Sequence, residues 1–231
     1  MVKQELVERS PVRIFEKSIQ GGLKAGEIGV IASPSGIGKT SVLVQIALDK
    51  LLQNQKIIHI SFAQHNSYVL SWYENIFEEF INRKEIENLA DIKDELVKNR
   101  VLMHFNQSVM KGEQILTSIK AMIKDGGFMA QSLIIDGFDF SKIDCEHLAK
   151  VKAFAQELGL SIWYSCNVQD GLSNGNIPSV LKNYLDLVEV IITLEPKQDH
   201  IMLSISKNRE TIQSEPPTLR LNPQSLLILA H

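Results

Sequence analysis

S-P-S-G-I-G-K-T, residues 33–40, is the stretch on which the reading of this chain turns. An apolar run at 27–32 precedes it and reads as a buried strand. Residues 39–52 follow, apolar on most faces and free of breakers, and read as a buried helix. The segment fits G-x-x-x-x-G-K-[ST] at every fixed position but the first, where Ser33 stands for glycine. Gly36 and Gly38 let backbone N–H groups turn inward around phosphate oxygens, in conformations that a Cβ hinders. Lys39 reaches the outer phosphates of a polyphosphate, and the Thr40 hydroxyl takes a place on Mg2+. The helix that starts here aims the positive end of its dipole at the anion. Ser33, Pro34, Ser35, Gly36, Ile37, Gly38, Lys39, Thr40 and Ser41 are the expected cofactor contacts. A glycine-bearing turn with no ligand is the competing reading. G-K-T together with a strand before it and a helix after it favours a phosphate loop.

Such a loop works with an acid at the tip of a neighbouring strand. S-L-I-I-D, residues 132–136, runs apolar residues straight into a carboxylate. An apolar run ending in Asp is common in itself; its place in the strand–helix order after the loop selects it. Asp136 is the expected second Mg2+ partner, through a bound water, with Thr40 as the direct ligand.

Outward from these two motifs, strands alternate with helices. Residues 56–62 read as the second strand. Residues 68–100 read as helical, with Tyr73, Phe77 and Phe80 at i, i+4 and i+7 forming a core stripe rather than a docking face. A third strand is expected at 101–105, a helix around 115–123 and a fourth strand at 132–135. Residues 147–158 carry Leu148, Val151, Phe154 and Leu158 on one face, with Gly159 where a helix C-cap belongs. A fifth strand at 161–165 leads into a polar, glycine-bearing loop at 168–178. The runs 188–194 and 200–206 are joined too closely for a crossover helix and should pair antiparallel. The expected fold class is α/β: a mostly parallel central sheet flanked by helices, with antiparallel strands near the C-terminus.

With 231 residues the chain suits one compact domain. It is 44% hydrophobic and 22% charged, ordinary globular usage that argues against wholesale disorder. No apolar run is long enough to span a membrane, and the first ten residues lack the apolar stretch of a secretory signal. Cys145 and Cys166 form neither a CxxC nor a metal-ligand spacing, so a reduced, cytoplasmic chain is expected. The net charge of −3 gives no overall field for nucleic acid. The densest basic stretches, 82–84 and 93–100, are interleaved with or flanked by Glu and Asp and read as solvated helix faces. The six histidines show no ligand spacing, no G-x-S-x-G elbow supports a hydrolase triad, and Trp72 and Trp163 read as packing residues.

Taken together, these motifs resemble the RecA superfamily of P-loop ATPases, above all its KaiC-like and DnaB-helicase-like branches. G-G-L-K-A-G-E, residues 21–27, is similar to that family's lead-in, and the resemblance covers about residues 11–229. It implies a RecA-like core, ATP and Mg2+ as ligands, and a homo-oligomer, commonly a hexamer in that family. Ser165, Cys166 or Asn167 would stand at the strand tip that senses the γ-phosphate. S-K-N-R, residues 206–209, resembles the K-x-R element that reaches into a neighbour's site, so Lys207 and Arg209 would act in trans, side by side on a continuing strand. Such a guanidinium is worth about 10³–10⁵ in rate.

The chain departs from the family after the second strand. Relatives carry a glutamate there that polarises the attacking water; here the stretch is Ser61-Phe62-Ala63-Gln64. Gln64 can orient a water but is a poor base; Asp139, three residues past Asp136, is one candidate substitute acid, and Glu27 is a second, although it begins the strand leading into the loop and should lie at the far edge of the sheet. Positioned acid–base catalysis contributes about 10²–10⁴-fold, so slow or absent hydrolysis is expected, with ATP and ADP acting on an oligomeric switch or scaffold. A DNA-dependent ATPase is the alternative, although the 168–178 loop carries no Lys or Arg. A small-molecule kinase is the third reading, and no Arg-rich lid supports it.

Overall fold

A computed structural model describes residues 2–8, 10–62, 64–81, 89–106, 112–169, 176–213 and 217–229. Two short helices, α1 (Val2–Glu8) and α2 (Val12–Ser18), lead into β1 (Ile28–Ser33), and α3 (Lys39–Leu52) follows the 33–40 loop. Next come β2 (Ile57–Ser61), α4 (Asn66–Ile81), α5 (Leu89–Lys98), β3 (Arg100–His104) and α6 (Gly112–Lys124). Then β4 (Ser132–Phe138), α7 (Cys145–Leu158) and β5 (Ser161–Asn167) complete the alternation. The chain closes with β6 (Val190–Pro196), β7 (Ile201–Asn208), β8 (Thr211–Ile212) and β9 (Thr218–Leu221). The helical expectation over 68–100 is met by two helices, 66–81 and 89–98, and corrected at Arg100, which opens β3 with its guanidinium 4.2 Å from the Tyr73 ring centroid rather than on a solvated helix face; residues 82–88, with the first basic stretch, lie outside the described residues.

These strands form one mixed sheet in the order β3-β2-β4-β5-β1-β6-β7-β8, with β9 also on β7. The first six in that order run parallel; β7 reverses against β6, and β8 and β9 reverse against β7. The strands β1 and β2 are buried at every residue. That is why neither strand alternates apolar with exposed polar residues.

Helices cover both faces. On one face α2, α3, α4 and α5 pack a core that includes Phe15, Leu43, Leu51, Tyr73, Phe77 and Trp163. On the other, α6 and α7 bury Ile119, Leu148, Val151 and Phe154 against Ile60, Leu133 and Tyr164. Phe15 of α2 meets Trp163 at 5.7 Å between centroids. Beside it, Arg13 pairs with Asp49 on α3, and Lys50 donates to Glu16 at 2.8 Å. The N-terminal helices thereby fix α3, whose first turn carries the G-K-T motif. No helix among the described residues is long and apolar enough to cross a membrane.

Candidate functional site

β1 ends on Ser33, buried and in register with Asn167 of β5. Serine is tolerated at this place because the residue is part of a strand and needs no left-handed backbone. Positive φ enters the loop only at Gly36 (+80°) and Gly38 (+103°), where a side chain would be strained. A Cβ on Gly36 would meet nothing within 4 Å, so it is the positive φ and not a close neighbour that calls for glycine there. Gly38 is the N-cap of α3, and no side chain caps the helix. The N–H groups of its first turn therefore point out of the helix end with no intrahelical acceptor, at the positive end of a 14-residue dipole.

Lys39 curls back over this loop. Its Nζ donates to the Ser33 carbonyl at 2.9 Å, the Pro34 carbonyl at 2.8 Å and Ser33 Oγ at 3.2 Å. Burial pulls the ammonium down to about 8, against Asp136 and then Cys166, which push it back up. A polyanion in the loop would offset that desolvation.

The loop meets the acid predicted from the sequence. Thr40 Oγ1 donates to Asp136 Oδ2 at 2.8 Å, joining residues 96 apart in the chain. Asp136 Oδ1 accepts from Ser165 Oγ at 2.6 Å, and Ser165 Oγ in turn accepts from Gly137 N at 2.7 Å. Gly137 sits at φ +75°, where the register of β4 against β5 shifts between Ile135 and Phe138. A bulge of this kind re-aims a neighbouring side chain; here it turns the end of β4 so that Ser165 holds Asp136. Of the three strand-tip residues expected to sense a ligand, Ser165 alone touches the acid. Cys166 is buried and Asn167 is exposed at the strand end.

Hydroxyl and carboxylate oxygens are hard donors that suit Mg2+. At a Mg–O distance of about 2.1 Å, adjacent ligands of an octahedron lie about 3.0 Å apart, near the 2.8 Å between Thr40 and Asp136. The pair fits as neighbouring ligands of one ion, and also with a water between Asp136 and the ion while Ser165 keeps Oδ1. No group of three His, Cys, Asp or Glu among the described residues gathers as a metal cluster. A cation here would complete its shell with phosphate oxygens and water.

A feature the motifs did not foretell closes the other side of the loop. Residues 222–229 fold back over the first turns of α3. The Leu226 carbonyl accepts from Ser41 Oγ at 2.8 Å and from Gln45 Nε2 at 2.9 Å, while Ile228 N donates to Gln45 Oε1 at 2.9 Å. Leu226 Cδ2 stands 3.4 Å from where a Cβ on Gly38 would be. The signal in the sequence was Gln45 itself, a fully buried amide inside an apolar helix, which needs partners for its polar atoms. Ser41, expected to contact the cofactor, spends its hydroxyl on this strap and keeps only its N–H for a ligand.

The remaining expected residues divide. Gln64 is exposed just beyond β2, its N–H donating to Ser61 Oγ at 3.0 Å; Ser61 is in register with Asp136, so Gln64 lies at the same end of the sheet. Ala63 and residues 170–175 of the polar loop lie outside the described residues. Asp139 accepts from Ser141 Oγ at 2.6 Å and Ser141 N at 3.1 Å, with Lys142 Nζ at 3.3 Å. The Ser141 hydroxyl above all holds the Asp139 carboxyl below the usual carboxylate range, which makes it a weak base. Asp139, Phe62, Asn167 and Gln169 line a cleft of ≈ 590 Å³ on the sheet face away from α3.

For Lys207 and Arg209 the geometry corrects the expectation of two cations side by side. β7 stops at Asn208, which pairs with Thr211 across a two-residue turn, and Arg209 takes φ +53°. The strand therefore does not carry Arg209 onward beside Lys207. Arg209 grips Glu27 through both carboxylate oxygens at 3.0 Å and donates to the carbonyls of Ile19 and Gly22. Lys207 donates to the Val188 carbonyl at 2.7 Å. Arg209 lies at the amino end of β1, about 20 Å of strand away from the 33–40 loop, while Lys207 pairs with Ile191, itself level with Val30, and turns its ammonium toward Val188; both side chains are engaged within the chain.

Comparison with protein-family models and with curated proteins finds no match to this chain.

Proposed function

We propose that this chain is a RecA-like, KaiC-type P-loop protein that binds Mg-ATP in the 33–41 loop and hydrolyses it slowly or not at all. The observation that carries this reading is the 2.8 Å contact between Thr40 and Asp136. The loop and the acid that its place in the strand–helix order singles out meet at the carboxyl ends of parallel strands, where open α/β sheets bind their ligands. When bound, the Mg-nucleotide supplies the phosphoanhydride and its charge. The residues of the chain do the rest. First-turn N–H groups of α3 and Lys39 take the phosphate oxygens, Thr40 and Asp136 take the cation, and Ser165 fixes the Asp136 carboxylate.

Slow turnover follows from the two residues expected to stand in for the missing glutamate. Gln64 offers an amide in place of a carboxylate, and Asp139 is held ionised by Ser141. Neither is a general base with a pKa near neutral pH, the condition for efficient proton transfer. The role that remains is a nucleotide-sensing switch or scaffold. The resemblance also carries assembly into a ring; Lys207 and Arg209, bound within one chain to the Val188 carbonyl and Glu27, would have to give up these contacts to reach a neighbour's site.

The test is thermal melting with ATP in excess Mg2+ and with ATP in EDTA. A rise in melting temperature that needs the metal is expected, together with phosphate release barely above the uncatalysed rate. A melting curve indifferent to Mg-ATP, or turnover of several per second without any partner, contradicts the proposal.

A further inference from the structure

We infer that Ser33, the residue in place of the motif's first glycine, is an affinity-setting brake on the same loop; the inference rests on the nucleotide reading above. A lysine ammonium has three protons to donate. Here all three have acceptors inside the loop: the Ser33 carbonyl, the Pro34 carbonyl and Ser33 Oγ. Glycine at this position would supply the first of these acceptors and not the third. The hydroxyl is itself fixed, donating to the Pro34 carbonyl at 2.9 Å, so its lone pair faces Lys39 and its proton faces away. Ser33 is wholly buried, and its carbonyl also accepts from Val168 N at 3.1 Å. It is thus held from both strands and has no freedom to swing aside.

For Lys39 to donate to a phosphate oxygen, one of the three loop bonds must be given up. The Oγ contact is the longest of them and the only one contributed by a side chain, so it is the one released. Binding therefore carries a cost that a chain with glycine at 33 does not have. The affinity of this loop for a triphosphate is set lower by the net worth of that hydrogen bond, about three- to tenfold. A weakened grip suits a protein that reports nucleotide level rather than one that holds nucleotide permanently.

The experiment is calorimetric titration of Mg-ATP into the full chain and into Ser33→Ala, Ser33→Gly and Ser33→Thr, with a melting curve of each protein without ligand. Ser33→Ala and Ser33→Gly both remove the hydroxyl, so one serves if the other folds poorly. Both are expected to bind about three- to tenfold more tightly, and Ser33→Thr, which keeps a hydroxyl, to stay near the unmodified chain. If the chain binds Mg-ATP and the folded Ala or Gly variant binds equally or more weakly, the brake is overturned while the nucleotide site stands. If the unmodified chain itself gives no saturable heat, the nucleotide reading fails and this inference fails with it.

Discussion

Replacing Lys39 with alanine is expected to erase the stabilisation by Mg-ATP while leaving the protein without ligand at least as stable as before. At a nucleotide concentration 100 times the dissociation constant, the full chain should gain about 2.7 kcal/mol, and the variant nothing measurable. The second half of this expectation comes from burial. Lys39 is 8% exposed, and burial lowers its ammonium to about 8, so desolvation of its charge outweighs what its neighbours in the loop give back. Alanine removes that penalty together with the ligand. A lysine that only packed the loop would give the opposite pattern, with lower stability and an unchanged nucleotide response. Parallel melting curves with and without Mg-ATP decide between them, and an unchanged response in Lys39→Ala would remove the site assignment.

The largest expected loss of stability lies away from the loop, at Arg13. Asp49 of α3 is fully buried. Arg13 reaches both its oxygens, with Gln53 Nε2 donating to Oδ2 at 2.7 Å. Arg13→Ala leaves a buried carboxylate with one amide for company. Removing one partner of a buried pair costs about 3–5 kcal/mol, and the retained Gln53 bond places this case near 3. For a chain of this size that corresponds to a melting temperature lower by about 6–12 °C. A urea midpoint series checks it. The pair Arg13→Met with Asp49→Leu should recover most of the loss, because Asp49 is then gone and Glu16, which also faces Arg13 at 3.1 Å, keeps Lys50 at 2.8 Å. A cost under about 1 kcal/mol for Arg13→Ala alone would mean that water reaches Asp49 and that α2 is not what fixes α3.

The parts of the fold legible in the sequence are those where one local force dominates. α3 occupies residues 39–52 as read, because glycine punctuation, G-K-T and fourteen residues without a breaker leave no other element there. Gly159 ends α7 at φ +66°, and β6 pairs antiparallel with β7 as the short joint required. The misreading at Arg209 has an equally local cause. Asn208, Arg209 and Glu210 include no glycine, and a positive φ on an arginine is uncommon. The turn is stabilised from outside, by Glu27 some 180 positions earlier, and no window of the sequence contains both partners.

The site was legible in the same uneven way. Lys39, Thr40 and Asp136 come from residue types and order, and the geometry brings them together. The role of Ser165 depends on a bulge at Gly137, and only the adjacency of Asp136 and Gly137 inside an apolar strand hinted at it. The strap at 222–229 has no periodicity of its own. It is held mostly by backbone atoms and by Gln45, so its place follows from hydrogen-bond partners that sequence pattern does not encode.

The most direct measurement is a two-dimensional proton–nitrogen NMR titration of the full chain with Mg-ATP, following backbone amides one by one. Saturable shifts concentrated on Gly36, Gly38, Lys39, Thr40 and Ser41, with smaller ones at Asp136 and Gly137, are the predicted result. Amides of 33–41 that stay still at millimolar Mg-ATP, or shifts confined to the cleft around Asp139 and Gln169, would contradict it.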